Sequence, residues 1–480
     1  MFRLLILLHR YLGIGICLML LLWCLSGFVM LYVQYPDLDA REQRQLLTAI
    51  SLKDCCRLPK VDYMEGESLD YFAIEMVADI PVLRLGWYPD DEIAIDMRKG
   101  TWLDPITVEL ARQIATDFNH RRQLDGKLEY RDVVYSDQWT VYGKYQPHRP
   151  LHYYAANDAA GTEWYISSTS GEIVQITTAH ERLWNWLGSV THWLYFTKLR
   201  EHTTLWSWLV IGLAALGVFL TVIGIYLGIH QFRIKATTGG RSPYRSWQLW
   251  HHYIGLMFGL FTLTWVFSGL VSMNPWGFLE SGGYAGETRL LGGQQLPWAE
   301  VQEYVRTLPA RELPPDLTRI EVSTLLGKQN QVAHFTTGES QRFNIETLKP
   351  EAIGPWDWLK ITKILGQETG SAEGQMIQGD DNYYFNHHEQ RIFPVWRVLL
   401  DDAAGTRYYL NTLNGQILEK FDGNRQWYRW LFLGLHRGDF SRLLRTRPIW
   451  DVWILILLAG VTAGTATGAY LGFKRLLKPR

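Results

Sequence analysis

Two stretches of this chain are nearly alike: HRYLGIGICLMLLLWCLSG at residues 9–27 and HHYIGLMFGLFTLTWVFSG at residues 251–269. Each begins with a histidine, continues to a Tyr-x-Gly and ends in Trp-x-x-Ser-Gly, and the offset of 242 residues holds without a gap. Apart from their first residues, both stretches are almost wholly apolar. They predict two equivalent apolar helices, each with a histidine near its N-terminal end.

Four apolar runs determine the class of protein. They occupy residues 11–36, 202–232, 246–279 and 452–473 of the 480-residue chain, and none of them contains Asp, Glu, Lys or Arg. About 20 apolar residues are enough for a helix to cross the roughly 30 Å hydrocarbon core of a bilayer. A buried helix in a soluble core rarely runs that long, so the sequence predicts four transmembrane helices.

Basic residues flank these helices on one side. They are Arg3, Arg10, Arg233, Lys235, Arg241, Arg245, Lys474, Arg475, Lys478 and Arg480. The positive-inside rule therefore puts both termini and the link between the second and third helices in the cytoplasm. The predicted division is helices at 1–33, 204–231, 247–273 and 449–473, periplasmic ectodomains at 34–203 and 274–448, a cytoplasmic link at 232–246 and a cytoplasmic tail at 474–480. The net charge of −1 gives no electrostatic case for a nucleic-acid partner.

The repeat extends beyond the helices, at an offset that changes to 244 residues. The matched elements are Asp158-Ala-Ala-Gly-Thr with Asp402-Ala-Ala-Gly-Thr, Trp186-Leu with Trp430-Leu, His192 with His436, and Gly224-Ile-Tyr-Leu-Gly with Gly468-Ala-Tyr-Leu-Gly. Chance does not hold one register over so many positions. We therefore interpret the chain as a tandem duplication of helix, ectodomain and helix.

Each ectodomain combines predicted strands and helices. Residues 161–176 predict two strands joined by a Ser-Gly turn, and residues 407–418 repeat them around an Asn-Gly turn. Helical stretches at 106–119 and 298–307 precede the strands. This pattern predicts small antiparallel sheets, each with a helix packed against it.

These elements together resemble the PepSY-associated transmembrane proteins. The resemblance rests on the four helices, the two large external segments, the Asp-Ala-Ala-Gly-Thr…Gly-x-Ile hairpin, and the His-Arg-Tyr-x-Gly and Trp-Leu-x-x-x-x-His elements, and it covers nearly the whole chain. The family consists of bacterial inner-membrane proteins and includes ferric-siderophore reductases with haem in the membrane. It implies a membrane helical bundle with two PepSY-like α+β ectodomains in the periplasm.

Four of the 14 histidines recur between the two halves. His9 and His251 lie at the cytoplasmic ends of the first and third helices, and His192 and His436 lie outside. Because both halves share one topology, their symmetry axis should run along the membrane normal, and equivalent residues should face each other at one depth.

Neutral imidazoles suit both axial positions of a haem iron, and a four-helix bundle can enclose haem between facing helices. We predict one haem held by His9 and His251 and a second held by His192 and His436. The chain has no Cys-x-x-Cys-His attachment motif, which indicates haem b.

Other assignments of these side chains stay open. His252 adjoins His251, and ligation within one half would pair His230 with either of them, although the repeat matches His230 to Lys474. The remaining candidates have no decided role. Trp23 and Trp265 either pack the bundle or line a route between the haems. Arg200 and Arg437 could steer anionic chelates or bind haem propionates. Cys17 and Cys24 are expected to pack, and Cys55-Cys56 could be a redox-active disulfide, a local structural element or free thiols.

The predicted function follows from the resemblance and from one short segment. Residues 231–246 are too few to fold around a flavin or a nicotinamide, so electrons would come from a cytoplasmic protein or from quinol. The resemblance implies an oxidoreductase, embedded in membrane lipid, that reduces an Fe(III)-siderophore in the periplasm and releases Fe(II). Two other functions stay open: a non-redox PepSY protein that binds a regulatory partner, and a component of a siderophore transporter. Transport usually needs acids or bases within the helices, and these runs lack them.

Overall fold

The structure, a computed structural model, describes residues 2–60, 66–87, 91–232, 241–344, 347, 349–367, 369–388 and 391–477. Part of the predicted cytoplasmic link, with Arg233 and Lys235, lies outside the described residues, as do Lys478 and Arg480 of the predicted tail.

Four long helices form the membrane part of the protein. They are Phe2–Met30, Thr203–Gln231, Trp247–Ser272 and Ile449–Leu476, called here the first to fourth long helices. By length and composition each can cross a membrane, which confirms the predicted four apolar helices. Each packs against the next, and the fourth packs against the first, so the first and third lie at opposite corners of the bundle.

Strands from both predicted ectodomains form one antiparallel sheet of seven strands. In spatial order they are Ser340–Phe343, Lys328–Phe335, Leu317–Leu325, Tyr71–Val77, Ile80–Trp87, Asp91–Asp96 and Thr101–Trp102. At the junction, Ala73 lies opposite Glu321. Helix Trp298–Thr307 packs on one face of this sheet. The sequence predicts small sheets within each segment separately, because alternation of apolar residues identifies a strand and its buried face but not the neighbouring strand.

Buried charges hold the junction of this sheet together. Arg84 Nε lies 2.6 Å from Glu75 Oε1, and Arg319 binds the other oxygen of the same carboxylate. Burial alone would raise the pKa of Glu75, but the two guanidinium groups lower it to about 2. Because a buried carboxylate without its partner is costly, this ion pair links residue 75 of the first segment firmly to residue 319 of the second.

Two further antiparallel sheets have four strands each and lie one in each predicted ectodomain. The first contains Glu129–Val134, Leu151–Ala155, Glu163–Ser167 and Ile173–Thr177, and the second contains Ala372–Ile377, Val395–Leu400, Arg407–Asn411 and Ile417–Phe421. Helix Val108–Arg121 packs on the first and helix Pro355–Leu365 on the second. A short pair, Ser68–Leu69 with Leu296–Pro297, also crosses between the segments. The antiparallel α+β character predicted from the sequence is confirmed.

The repeated Asp-Ala-Ala-Gly-Thr element forms the turn before a hairpin strand. The Asp158 carboxylate accepts hydrogen bonds from the Thr162 backbone N–H at 2.7 Å and from its hydroxyl at 2.8 Å. Asp402 and Thr406 make the same two bonds at 2.7 and 2.6 Å. In both halves the motif is therefore a turn that is closed by hydrogen bonds to the aspartate carboxylate.

Short helices connect the sheets with the long helices. The α-helices are Ala40–Gln45, Ala179–Leu187, Ser189–Trp193, Thr197–Arg200, Ala285–Gly292, Gly423–Tyr428, Leu435–Arg437 and Arg442–Arg445; Arg429–Gly434 is π-helical, and Gly143–His148, Pro275–Gly277 and Leu308–Ala310 are 3₁₀ turns. The helices that carry His192 and His436 both end at a left-handed residue, Leu194 and Gly438 respectively. The turn there sends the chain back towards the next long helix.

Candidate functional site: two facing histidine pairs

The first pair of histidines, called here the inner pair, lies at the end of the bundle away from the sheets. His9 and His251 face each other with ring centres 6.3 Å apart and planes inclined by 35°. Their Nδ1 atoms bond the neighbouring long helices: His9 to Leu220 O at 3.3 Å, and His251 to Gly464 O at 3.2 Å and Thr467 Oγ1 at 3.1 Å. A carbonyl oxygen can only accept, so we assign the hydrogen to Nδ1. Each Nε2 then carries a lone pair.

Glycines shape the space around the inner pair. A Cβ on Gly224 would lie 2.7 Å from His9 Cε1, and a Cβ on Gly468 would lie 3.2 Å from His251 Cε1. Both helix backbones therefore lie directly against the imidazoles. One turn from His251, on the same helix face, a Cβ on Gly255 would meet nothing within 4 Å. These small residues let the neighbouring helix backbones approach the rings closely, and they leave open space at residue 255.

The second pair, called here the outer pair, lies at the end of the bundle next to the sheets. His192 and His436 face each other with ring centres 6.1 Å apart and planes inclined by 80°. Their Nδ1 atoms lie 3.0 Å from Ser26 Oγ and 2.9 Å from Ser268 Oγ. Each hydroxyl donates its own hydrogen to a carbonyl of its own helix, so it accepts from the imidazole. The hydrogen again lies on Nδ1, and Nε2 has a lone pair.

Burial sets the charge of the outer imidazoles. It lowers the pKa of His192 to about 4 and that of His436 to about 3, the second with help from the neighbouring His192 and Arg437. Both rings are therefore neutral near pH 7. A neutral imidazole with hydrogen on Nδ1 can offer Nε2 to a metal, and a hydrogen bond at the other nitrogen is the usual support for such a ligand.

Tryptophan indoles fasten the short helices of the outer pair to the long helices. Three such bonds, each of 2.8 Å, run from Trp23 Nε1 to His192 O, from Trp206 Nε1 to Trp193 O and from Trp450 Nε1 to Arg437 O. They hold the backbone of the short helices at the depth of the bundle end. Trp265, the repeat counterpart of Trp23, packs in an apolar cluster with Cys24 and Leu458.

The alternative histidines lie elsewhere. His252 uses both ring nitrogens, bonding Gly228 O at 2.9 Å through Nε2 and Ser242 Oγ at 2.7 Å through Nδ1. His230 lies against the Phe2 ring, with centres 4.5 Å apart. The structure thus brings His9 to His251 and places neither His230 nor His252 in a facing pair.

The surroundings of the outer pair differ between the two halves. On the first-half side, Arg200 stacks on the rings of Tyr195 and Trp206, at 4.8 and 4.1 Å from their centres. On the second-half side, His387 Nε2 lies 2.5 Å from the buried Asp439 Oδ1, and the His387 ring stacks on Trp450 at 4.4 Å. The sequence gives no signal for this His–Asp pair, because neither residue has a matching residue in the first half of the repeat.

The cysteines contribute no ligand to these pairs. Cys17 and Cys24 are free and buried within the first long helix, as expected for packing. Cys55 and Cys56 form a disulfide rather than free thiols, and both pack against the core of the seven-stranded sheet. That position agrees with a local structural role.

The donor set fits a haem iron. With metal–nitrogen bonds of about 2.0 Å and roughly 1.2 Å from nitrogen to ring centre, two imidazoles on opposite sides of one metal have centres about 6.4 Å apart. The observed separations are 6.3 Å for the inner pair and 6.1 Å for the outer pair. Two neutral axial nitrogens are a ligand set that haem uses.

Comparison with known proteins gives one assignment. No curated protein matches the chain. A family model described as the PepSY-associated TM region matches residues 6–475, which include both histidine pairs, all four long helices and the sheets between them. Since this match covers nearly the whole chain, the protein belongs to the PepSY-associated transmembrane family.

Proposed function

We propose that this protein is a dihaem electron-transfer protein of the bacterial inner membrane that reduces Fe(III)-siderophores on the periplasmic side. The observation that carries the proposal is the pair of facing imidazoles at each end of the bundle. Every Nδ1 is bonded to protein, which leaves each Nε2 as the nitrogen with a lone pair. A partner-binding protein without redox chemistry would not need four imidazoles in this arrangement.

The histidines and their supports define what the chain contributes at each site. Haem b, when bound, supplies single-electron transfer. His9 and His251 would hold one haem and His192 and His436 the other, while the bonds at Nδ1 fix the tautomer and orientation of each ring. The surrounding apolar helices keep water away from the iron ligands.

The two pairs lie near opposite faces of the membrane. His9 and Ser26, the latter bonded to His192, are 17 residues apart on the first long helix. At 1.5 Å per residue this is about 25 Å along the helix axis, against a hydrocarbon core of about 30 Å. The pairs would therefore connect a cytoplasmic or quinol donor with the far side of the membrane.

The direction of transfer follows from the proposed topology. Arg3, Arg10, Arg241 and Arg245 lie at the same end of the bundle as the inner pair, which supports a cytoplasmic location of that end. The sheets would then lie in the periplasm. A tandem duplication would account for the equivalent supports of the two halves, in which Ser26 and Ser268 play the same part.

The proposed reaction is a one-electron reduction. One electron from the cytoplasmic or quinol donor would reduce the chelated Fe(III) next to the outer pair to Fe(II), which would be released because the hard oxygen ligands of the chelator hold it less tightly. Arg437, half-buried beside His436, carries a positive charge towards which an anionic chelate would be drawn.

A reoxidation experiment tests this function. Protein reduced with dithionite and freed of excess reductant should be reoxidised by an Fe(III)-siderophore, as followed by its visible absorption, and ferrozine should collect Fe(II). The same chelator loaded with Ga(III), which is similar in size and charge but not reducible, is the matched control and should leave the protein reduced. If Fe(III) chelates of several classes all fail to oxidise the protein, the siderophore proposal falls.

A further inference from the structure

Helix Ala179–Leu187 has an unusual distribution of apolar side chains. Leu183, Trp184, Trp186 and Leu187 are 62, 39, 44 and 55% exposed, respectively. They occupy positions i, i+1, i+3 and i+4 and therefore share one side of the helix. A helix in contact with water only would not present two leucines and two tryptophans in this way.

Apart from the exposed His180 in its first turn, the polar groups of this helix are turned towards the protein. Glu181 closes a capping box with Thr178 at the start of the helix, and Arg182 lies 3.1 Å from Glu163. Asn185 is buried and donates to Gln34 O at 2.9 Å. The charges and amides are thus used by the fold, and the outward face is left apolar.

The height of the helix is set by its contact with the first long helix. Gly188, the residue after the helix, packs so closely that a Cβ would lie 2.9 Å from Val29 Cγ1. Val29 belongs to the last turn of the first long helix, which ends at Met30. The C-terminal end of helix Ala179–Leu187 therefore lies at the boundary of the membrane-spanning segment.

The second half supports the same interpretation. At an offset of 244 residues, the four positions correspond to Trp427, Tyr428, Trp430 and Leu431, of which Trp427 is 62% exposed and the other three are half-buried. All four are again aromatic or aliphatic. Tryptophan and tyrosine are enriched where a membrane meets water, and an amphipathic helix with such a face can lie in the plane of that interface.

We propose that helix Ala179–Leu187 is an interfacial helix whose exposed face, Leu183, Trp184, Trp186 and Leu187, is embedded in the same bilayer that the long helices cross, in the leaflet on the side of the sheets. The occupant of this face is lipid, because the helix packs against the last turn of the first long helix, whose own outward side chains include the exposed Leu22 and Leu25. The helix leads directly into Ser189–Trp193, so its embedding fixes the depth of His192 relative to the membrane surface. The proposal does not depend on redox activity.

Spin labelling of the full-length protein tests the depth of this face. Nitroxide labels are attached at Leu183→Cys or Leu187→Cys in a background with Cys17 and Cys24 changed to Ala, in phosphatidylcholine nanodiscs with one protein copy each. Oxygen concentrates in hydrocarbon, whereas a polar nickel chelate is excluded from it, so the oxygen-to-nickel collision ratio should exceed that of a water-exposed label by a factor on the order of ten. The matched control is Tyr135→Cys, at a site that is 70% exposed on the sheet side.

Two outcomes would overturn the proposal. Labels at residues 183 and 187 that collide with nickel as often as the label at residue 135 would show that the face lies in water. Labels that are open to nickel in single-copy discs, but protected when several copies share a disc, would show that a second copy covers the face instead of lipid.

Discussion

The inner and outer histidine pairs have similar facing arrangements, but different structural elements hold them in place. His9 and His251 are residues of the long helices themselves, and their Nδ1 atoms bond backbone carbonyls of neighbouring long helices. His192 and His436 lie on short helices outside the spans, and their Nδ1 atoms bond serine side chains. The inner geometry is therefore set by helix packing, whereas the outer geometry depends on individual side chains that can be changed one at a time.

Removal of a histidine should have the largest effect and should separate the two sites. Purified wild-type protein should contain two haems per chain, and His251→Ala and His436→Ala should each contain about one, because an open axial position weakens haem retention. A pyridine haemochrome assay gives the stoichiometry. His252→Ala is the matched control and should keep both haems, since that ring already bonds Gly228 and Ser242. A loss with His252→Ala and none with His251→Ala would reverse the ligand assignment.

Overpacking behind the inner pair should be the next largest effect and should leave the outer pair alone. In Gly224→Ala the new methyl would meet His9 Cε1 at 2.7 Å, whereas in Gly468→Ala the closest approach to His251 is 3.2 Å. Forcing such a contact costs about 1–3 kcal/mol in a packed core. Electron paramagnetic resonance should therefore show the inner signal changed more by Gly224→Ala than by Gly468→Ala.

The control for this series is Gly212→Ala in the second long helix, where a Cβ would meet nothing within 4 Å. It should leave both signals as in the wild type. A change in the outer signal with Gly224→Ala would contradict the independence of the two pairs.

Loss of a serine should produce a smaller change, confined to the outer pair. Ser26→Ala or Ser268→Ala removes the acceptor of the imidazole Nδ1–H. The imidazole would then donate less electron density to the bound iron, and the oxidised state of the outer site would be less stabilised. A hydrogen bond of about 0.5–1.5 kcal/mol corresponds to a rise of about 20–60 mV in the outer midpoint potential, at 59 mV per tenfold change for one electron. Redox titration measures both potentials in one sample.

The matched control for the serine variants is Ser272→Ala. Its hydroxyl donates to Gly269 O on the same helix as Ser268 and does not bond a histidine. Equal shifts for Ser268→Ala and Ser272→Ala would mean that the serine bond has no part in setting the potential.

The smallest effect should come from Thr467→Val at the inner pair. The variant removes the hydroxyl 3.1 Å from His251 Nδ1 but leaves Gly464 O at 3.2 Å as an acceptor. Since the backbone bond remains, the inner potential should move by less than about 20 mV, the lower end of the range for a lost hydrogen bond. Thr462→Val, at a threonine on the same long helix whose hydroxyl donates to Leu458 O, provides the baseline. A shift as large as that of Ser26→Ala would show that the side chain dominates the inner site as well.

The repeat in the sequence was enough to predict which histidines meet. Residues 9 and 251 share one offset and residues 192 and 436 another, and a common register over many positions carries information about three-dimensional equivalence. The supporting residues were also within the repeated elements, as the serine of Trp-x-x-Ser-Gly and the first glycine of Gly-x-Tyr-Leu-Gly. Their role could not be predicted, because the hydrogen bond joins residues that are 166 positions apart for Ser26 and His192.

The fold was predictable where the signal is local. Length and hydropathy identify the four helices, and turn residues identify the hairpins around Gly171 and Gly415. The pairing of Tyr71–Val77 with Leu317–Leu325 has no such signal, since the residues of a strand indicate its burial but do not identify the strand beside it. Only the burial of Glu75 with Arg319 shows afterwards why that partner is favoured.

The shared sheet has a consequence for the biogenesis of the protein. The strand Tyr71–Val77 is synthesised about 240 residues before Leu317–Leu325, the strand that covers its edge. At roughly 5–20 residues per second, the edge stays open for about 12–50 s. Open edges recruit foreign strands, and a charge within the edge opposes this. Glu75 would therefore place a carboxylate on this edge well before Arg319, its partner across the junction, is synthesised.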